Sequence, residues 1–204
     1  MYKFFLKRLL DIIFSTTLII LLSPLLILVG VLIWIKMGTP VIFRQIRIGK
    51  NNQEFTIMKF RTMSDKSEGI NTDSQRLTKL GAFLRKLSID EFPQLFNIFK
   101  GDMSFIGPRP LLKKYIPYYN DREIKRHEVR PGMTSLAGVK GRSFLTWEEQ
   151  FEYDVEYVEN LTLKMDLLIF IKTIPKVLGS KDMMVVGRKD IESFDVHRKN
   201  QRSN

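Results

Sequence analysis

The 204-residue sequence contains no cysteine and only two histidines, His127 and His197. Without a thiol the chain forms no disulfide, no thiolate nucleophile and no cysteine-ligated zinc site. Two histidines are too few for a histidine-rich metal cluster. The glycine-containing loops match neither a Walker phosphate-binding loop nor a dinucleotide-binding fingerprint. These absences exclude whole classes of catalytic and structural sites.

Acidic residues are scarce relative to basic ones. The chain has 33 lysines and arginines against 22 aspartates and glutamates, a net charge of +11 and a pI near 9.8. This excess favours nucleic acid, anionic lipid or phosphorylated substrates as partners. We expect no nucleic-acid binding, because aromatic and basic residues do not interleave as they do on a base-stacking platform. The length suits one domain, and the sequence carries no signal for an oligomeric state.

Residues 12–35 contain no charged residue. A straight helix of this length, rising about 1.5 Å per residue, crosses a hydrocarbon core of about 30 Å. A cleaved signal peptide has a shorter apolar region and ends at small residues, which residues 37–40 match poorly. We therefore expect a membrane element, residues 1–36, that stays in the mature protein.

The pair Ser23-Pro24 lies in the middle of this apolar segment. Proline removes a hydrogen-bond donor and crowds the preceding turn, so a break or bend is expected here. The Ser23 hydroxyl can bond the carbonyl of Ile19 or Ile20, which limits the cost of the break in lipid. Both flanks are basic, which favours a hairpin that leaves both on the cytoplasmic side. An ordinary kinked span is the alternative, and the residues alone leave both open.

The remainder predicts an α+β fold with one compact cytoplasmic domain, residues 37–187. A β-hairpin is expected from residues 41–48 and 55–60, and a short amphipathic helix from 77–87. Residues 111–119 are typical of an interfacial helix in the headgroup region, with a partly buried core helix as the alternative. Further helices are expected at 146–158, capped by Thr146, and at 166–178. Residues 188–204 form a polar tail that we expect to be disordered.

Asp90 and Glu91 stand side by side in this basic chain. The Ser88-x-x-Glu91 spacing also fits a capping box, in which both acids only complement a helix start. Adjacent helical residues point about 100° apart, so a symmetric acid and base pair is disfavoured. A division of labour fits better: one carboxylate attacks a phosphorus, and the other holds a divalent ion or handles a proton.

Attack by a carboxylate on a pyrophosphate meets charge repulsion, so Mg²⁺ and arginines are needed to neutralise the phosphate oxygens. The available cations are Lys59, Arg61, Arg85, Arg109 and Arg142. The run Gly107-Pro108-Arg109-Pro110 combines a flexible residue with two rigid ones, which fixes the direction of the arginine. A plain turn with a surface arginine is the alternative.

Several motifs follow one another along the chain: Ser23-Pro24 in the apolar segment, then residues 59–63, 90–95, 101–104, 107–110 and 130–132. In this order they resemble the bacterial sugar transferase family, the monotopic phosphoglycosyl transferases of glycoconjugate assembly. The resemblance covers most of residues 1–180. The length is similar to that of the small, minimal members, such as the enzyme that initiates bacterial N-linked glycosylation.

The resemblance implies a re-entrant membrane helix broken at Ser23-Pro24, with the catalytic domain on the cytoplasmic face of the bacterial inner membrane. It implies transfer of a sugar-1-phosphate from a UDP-sugar to polyprenyl phosphate, with release of UMP and a covalent aspartyl-phosphosugar intermediate. Asp90 would be the nucleophile, and Glu91 would help with Mg²⁺ or with the proton of the acceptor. Either carboxylate could hold Mg²⁺. The implied phosphate-binding and supporting residues are Lys59, Arg85, Arg109, Arg142 and Asp166.

One stretch departs from the family pattern. Ser135 stands where the family has glycine, and Gly138 stands where it has glutamine, which removes a hydrogen-bonding amide group from this loop. The sugar cannot be read from the chain. The alternative from another functional class is a non-enzymatic, membrane-anchored basic module that binds anionic lipid or a partner protein.

Overall fold

The computed structural model describes residues 2–65, 72–141, 144–178 and 192–203. A π-helical turn at Tyr2–Leu6 opens a mixed α and β fold with small sheets. The helices and strands follow in this order: α1 (Lys7–Met37), β1 (Ile42–Ile48), β2 (Glu54–Phe60), α2 (Asp73–Arg76), α3 (Lys79–Lys86), α4 (Gln94–Lys100), β3 (Ser104–Ile106), β4 (Gly132–Thr134), α5 (Leu136–Lys140), α6 (Trp147–Glu159), α7 (Leu163–Leu178) and α8 (Phe194–Ser203).

Helix α1 is long and apolar enough to cross a membrane, and only 11% of its most apolar 18-residue stretch is buried. It continues as one helix through Pro24, so the expected break does not interrupt it. The Ser23 hydroxyl donates to the carbonyl of Ile20 at 2.8 Å, as the sequence predicts. This bond occupies one carbonyl in the turn where Pro24 lacks a donor.

The body of the protein contacts α1 along its whole length. Near its start, the Asp11 carboxylate accepts hydrogen bonds from the Ser104 hydroxyl at 3.0 Å and the Phe105 amide at 3.1 Å. The middle packs against β2 and α4, and the last turns bury Val29 and Ile33 in a cluster that includes residues of β2 and α3. The body therefore lies beside α1 from its first turns to its last.

Strands β1 and β2 form the predicted antiparallel hairpin, in register from the pair Ile42 and Phe60 to the pair Ile48 and Glu54. A 3-10 turn at Lys50–Asn52 joins them. Asn51 and Asn52 have φ values of 54° and 60°, a left-handed conformation that asparagine tolerates better than most residues.

The predicted helix start at Ser88 is wrong. Ser88 adopts a left-handed conformation with φ 55° and makes no side-chain capping bond. Residues Ile89–Glu91 form a separate 3-10 turn, and α4 begins only at Gln94, after Pro93. Because proline lacks an amide donor, it suits a helix start better than a helix interior. The acids thus lie on a tight turn between α3 and α4.

A short parallel pair, β3 with β4, was not predicted from the sequence. Ser104 pairs with Gly132, and Ile106 pairs with Thr134. A Cβ atom on Gly132 would lie 2.1 Å from the Gly107 amide nitrogen, so only glycine permits this approach. The contact holds the loop that carries Arg109 next to the start of β4.

Helix α6 has the predicted capping box, in which Thr146 and Glu149 exchange bonds with each other's backbone. Residues Lys113–Tyr118 form a 3-10 turn rather than an interfacial helix. Tyr115 is only 6% exposed and belongs to an aromatic cluster with Trp147 and Phe151. The core alternative is therefore the one observed.

The expectation of a disordered tail is wrong for residues 192–203, which include helix α8. Phe194 is 0% exposed, and its ring lies 4.8 Å from that of Phe151 and 5.4 Å from that of Trp147. One phenylalanine in a polar run thus has enough apolar partners to hold the helix. Residues 188–191, the start of the expected tail, lie outside the described residues.

Candidate active site

Asp90 and Glu91 lie on the 3-10 turn between α3 and α4. Asp90 is 8% exposed, and Glu91 is half-buried. The ammonium of Lys59, on β2, donates to the Glu91 carboxylate at 2.5 Å. The hairpin thus supplies a cation directly to the acid pair.

Two of the predicted arginines also lie near the acids. Arg85, in the last turn of α3, donates through Nε to the Thr62 hydroxyl at 3.0 Å, and its charge acts on Asp90. Arg109 is exposed between the buried Pro108 and Pro110, and its charge acts on Glu91. The structure therefore brings Lys59, Arg85 and Arg109 together around the two carboxylates.

The two neighbouring acids have opposite pKa shifts. Burial, and next the negative charge of Glu91, raise the pKa of Asp90, although Lys59 and Arg85 oppose this. Burial also disfavours the charged form of Glu91, but the charges of Lys59 and Arg109, with hydrogen bonds from Lys59 and Gln94, hold its pKa below the usual value. Glu91 is thus the more stable anion, and Asp90 is the more basic carboxylate.

The donor set at this turn fits a magnesium ion. The described residues contain no group of three or more histidine, cysteine, aspartate or glutamate side chains that could hold a metal by themselves. Mg²⁺ is commonly held by one or two carboxylates together with substrate phosphates and water. Asp90 and Glu91 supply such oxygen ligands, and bound substrate would supply the rest.

Two charged residues singled out from the sequence lie elsewhere. Asp166, on α7, accepts hydrogen bonds from Lys7 at 2.6 Å, from the Tyr157 hydroxyl at 2.7 Å and from Tyr2. Arg61 donates to the carbonyls of Met37 and Thr39 at the end of α1. Asp166 therefore anchors the start of the chain, and Arg61 anchors the end of α1.

Three further features singled out from the sequence are Arg142, the Ser23-Pro24 pair and Ser135. Arg142 lies outside the described residues. Ser23 and Pro24 lie inside α1, which continues through them without a break. Ser135 has an extended φ of −143°, and its hydroxyl caps α5 by accepting from the Gly138 amide at 2.9 Å. Because this conformation needs no glycine, Ser135 is compatible with the local backbone.

Sequence reasoning missed the residues that hold the Arg109 loop. Arg126 is 1% exposed, pairs with Asp154 on α6 at 2.7 Å, and donates to the Arg109 carbonyl at 2.8 Å. In the sequence Arg126 stands in the run Lys125-Arg126-His127, which is indistinguishable from a solvated basic surface. Gln94 beside Glu91 was also missed, although it lies in the motif that follows the acids.

Comparison with known proteins gives a consistent result. The family described as bacterial sugar transferase matches residues 2–180. The chain is 43% identical over 192 residues to the uncharacterized sugar transferase EpsL of Bacillus subtilis, covering 93% of this chain and 95% of that protein. It is 36% identical over 185 residues to the UDP-glucose:undecaprenyl-phosphate glucose-1-phosphate transferase of Caulobacter vibrioides, covering 84% of this chain and 69% of that protein.

A longer relative matches over part of its length. The UDP-N-acetylgalactosamine-undecaprenyl-phosphate N-acetylgalactosaminephosphotransferase of Aeromonas hydrophila is 41% identical over 186 residues, which cover 85% of this chain and 44% of that protein. The names of the two undecaprenyl-phosphate relatives thus specify different sugars, N-acetylgalactosamine and glucose.

Proposed function

The chain belongs to the bacterial sugar transferase family, and from this we propose that it transfers a sugar-1-phosphate from a UDP-sugar to polyprenyl phosphate, such as undecaprenyl phosphate, at a membrane. The observation that carries the proposal is the pair of unequal carboxylates, Asp90 and Glu91, surrounded by Lys59, Arg85 and Arg109. The names of the Caulobacter and Aeromonas relatives supply the substrate classes. The product would be the first membrane-bound intermediate of a glycoconjugate such as an exopolysaccharide.

The proposed reaction has two displacements at one phosphorus atom. In the first, a carboxylate oxygen of Asp90 attacks the sugar-bearing phosphorus, and the bond from that phosphorus to the bridging oxygen breaks. UMP leaves with the bonding electrons, and Asp90 holds a phosphosugar. In the second, a phosphate oxygen of polyprenyl phosphate attacks the same phosphorus, which restores the Asp90 carboxylate and gives polyprenyl diphosphate sugar.

The surrounding charges suit this chemistry. The raised pKa of Asp90 reflects an anion that is incompletely stabilised by its neighbours and therefore reacts more readily. Lys59, Arg85 and Arg109 would reduce the repulsion between the attacking carboxylate and the phosphate oxygens. Asp90 or Glu91 would hold Mg²⁺, which when bound would neutralise further phosphate charge.

We also propose that α1 is re-entrant, with both ends and the catalytic body on the cytoplasmic face of the inner membrane. The body contacts α1 from Asp11 to Ile33. A straight span would carry this body, including the charged pair Lys59 and Glu91, into the hydrocarbon core, where charges are costly. A shallow helix avoids this cost and leaves exposed apolar residues such as Ile20, Leu21 and Ile27 in contact with lipid.

The experiment measures UMP release by purified, detergent-solubilised protein given UDP-sugars and undecaprenyl phosphate. Asp90→Asn should abolish release, because an amide is not an effective nucleophile, and Glu91→Gln should reduce it strongly. Lys100→Gln, at an exposed site after the acids, is the matched control. Near wild-type release by Asp90→Asn would contradict the assignment, and no release by wild-type protein with any UDP-sugar would favour a non-enzymatic basic module.

The sugar is the remaining question about the substrate. Glucose and N-acetylgalactosamine both occur in the names of relatives, so family membership does not decide between them. A panel of UDP-sugars in the same UMP-release measurement identifies the donor. The preferred donor should give the highest kcat/KM.

A further inference from the structure

Arg47 is a cation near the site that the sequence motifs did not single out. It lies on β1, directly opposite Phe55 of β2, whereas Phe43 lies opposite Lys59. Since side chains alternate along a strand, Arg47 and Lys59 lie on the same face of the hairpin. Ile57 lies on that face too and is buried against α4, so the face is turned towards the helix that follows the acid pair.

A backbone contact places the end of β1 beside the Arg109 loop. The Ile48 amide, adjacent to Arg47, donates to the carbonyl of Leu111 at 3.2 Å. A crevice between the two segments is lined by residues that include Ile48, Gly49, Pro108, Arg109 and His127. Arg47 and Arg109 thus come from two segments that are hydrogen-bonded to each other.

Among the described residues, these two arginines form no ion pair with an acid. Burial, and next the positive charge of Arg109, lower the pKa of Arg47. In the described part of the chain, neither arginine has a carboxylate within ion-pair distance, whereas Arg126, Arg122 and Arg198 each have at least one. Arg47 donates to the Gln45 side chain at 2.7 Å, and its buried Nε has no hydrogen-bond partner among the described residues.

Two neighbouring guanidinium groups that form no ion pair provide a site for an external anion, because a bound anion reduces their repulsion and satisfies their donors. The charge of Arg109 acts on both Glu91 and Arg47, whereas the charges of Lys59 and Arg85 act on Asp90. The site thus has one group of cations at the acid pair and a second group, Arg47 with Arg109, that is coupled to it through Arg109. A diphosphate has one phosphate for each group.

We propose that Arg47 and Arg109 together bind the nucleoside-bearing phosphate of the donor, the phosphate that leaves with UMP, while Lys59 and Arg85 bind the sugar-bearing phosphate. The inference rests on the proposed function and adds Arg47 to its machinery. In the first displacement the bridging oxygen takes the bonding electrons and becomes a phosphate oxygen of UMP. The two guanidinium groups neutralise the charge that develops there.

This assignment makes the two half-reactions differ in their dependence on Arg47. UMP takes part in the first displacement and in its reversal, but not in the transfer from Asp90 to the lipid acceptor. The first half-reaction can be isolated by following exchange of labelled UMP into UDP-sugar without polyprenyl phosphate. The second can be isolated by adding polyprenyl phosphate to enzyme freed of nucleotide after the first.

The experiment compares Arg47→Gln with Arg44→Gln, an exposed arginine on the same strand whose side chain points to the opposite face. Arg47→Gln should weaken UMP binding and slow UMP exchange by roughly 10- to 100-fold, the range expected for a charge-assisted hydrogen bond. Competition by uridine, which has no phosphate, and discharge to polyprenyl phosphate should match wild type. Arg47→Lys keeps the charge without the fork and should show a smaller loss.

The possible results distinguish a failure of the proposed function from a failure of the role assigned to Arg47. If wild-type protein does not exchange UMP, the proposed function fails regardless of Arg47. If wild type exchanges UMP and Arg47→Gln does so as well as Arg44→Gln, only the role of Arg47 is overturned. A loss of uridine competition as large as that of UMP would likewise overturn the phosphate contact. Should Arg47→Gln fail to fold, the Arg47→Lys variant decides by the same comparison.

Discussion

Asp90 and Glu91 are adjacent in the chain, but their surroundings shift their pKa values in opposite directions. Glu91 has the ammonium of Lys59 at 2.5 Å and the charge of Arg109. Asp90 is more buried and feels the negative charge of Glu91 as well as its own loss of solvent. The same turn thus supplies one carboxylate with a lowered pKa, Glu91, and one with a raised pKa, Asp90. The proposed covalent displacement, with a nucleophile and a supporting acid, would use this difference.

This asymmetry predicts opposite pH effects for two substitutions. Asp90 attacks only when ionised, so activity falls as pH drops through its raised pKa. Glu91→Gln removes a charge that raises this pKa, and the acid limb of the residual activity should move to lower pH. Lys59→Met removes a charge that lowers it, and the limb should move to higher pH. The pH profile of UMP release measures both, and limbs that stay with wild type would refute the electrostatic account.

At the residue scale, the sequence predicts the acids, Lys59 and Arg109 because each stands in a recognisable motif. Arg85 is predicted from its charge and from the family resemblance. Arg47 and Arg126 escape sequence reasoning for physical reasons. The role of Arg47 depends on strand register and on the hydrogen bond between Ile48 and Leu111. Arg126 differs from a surface arginine only through burial against Asp154, which no local pattern reveals.

Among the elements, the close packing of the start of α3 against the end of β2 positions Arg85. Thr78 caps α3 by accepting from the Gly81 amide at 2.9 Å. A Cβ atom on Gly81 would lie 2.0 Å from the Thr62 carbonyl oxygen. The helix can approach the end of β2 this closely only because residue 81 has no side chain.

Gly81→Ala should therefore destabilise the protein by about 1–3 kcal/mol, the usual cost of overpacking. UMP release should also fall, because Arg85 lies one turn further along α3. Gly30→Ala is the matched control, since a Cβ atom there would meet only Val41 at an ordinary 3.8 Å. Thermal unfolding in detergent measures the effect. Equal melting temperatures for the two variants would show that this close approach is not needed.

Helix α1 shows the limit of prediction for an element. Its length, apolar character and the Ser23 bond to Ile20 agree with the sequence-based expectations. A break was expected at Pro24, but the helix continues through it. The capping box expected at Ser88 does not form, because Ser88 has a left-handed conformation that residue spacing cannot reveal. Spacing predicts the candidates for a turn, but φ and packing decide which one forms.

The re-entrant arrangement of α1 predicts the side from which its ends are accessible. Because the chain has no cysteine, Lys3→Cys and Lys36→Cys each introduce a unique thiol at an exposed position. In intact cells, a membrane-impermeant maleimide should label neither thiol from outside, and permeabilised cells should give full labelling of both. Labelling of one end alone in intact cells would show that α1 crosses the membrane.

At the scale of the whole molecule, the last described helix closes an aromatic cluster built from distant segments. Phe194 packs on Tyr115, Trp147 and Phe151. Ion pairs of Lys114 with Asp195 and of Arg198 with Glu123 lie beside it. The sequence could not predict this, because one phenylalanine among charged residues has no periodic pattern and its partners are more than forty residues away.

Phe194→Ala should destabilise the protein by about 3–5 kcal/mol, the cost of emptying a buried aromatic site. Val196→Ala, at a position 41% exposed on the same helix, should have little effect. Thermal unfolding of the purified variants makes the comparison. A Phe194→Ala protein as stable as Val196→Ala would mean that α8 contributes nothing to the fold.

The central claim for the whole molecule is that Asp90 carries the phosphosugar between donor and acceptor. The direct measurement is peptide mass spectrometry of wild-type protein incubated with its UDP-sugar and Mg²⁺ in the absence of polyprenyl phosphate. The account predicts a phosphosugar on the peptide containing Asp90, lost when polyprenyl phosphate is added and never formed by Asp90→Asn. UMP release that requires the acceptor and leaves no modified peptide, or a phosphosugar on another residue, would contradict it.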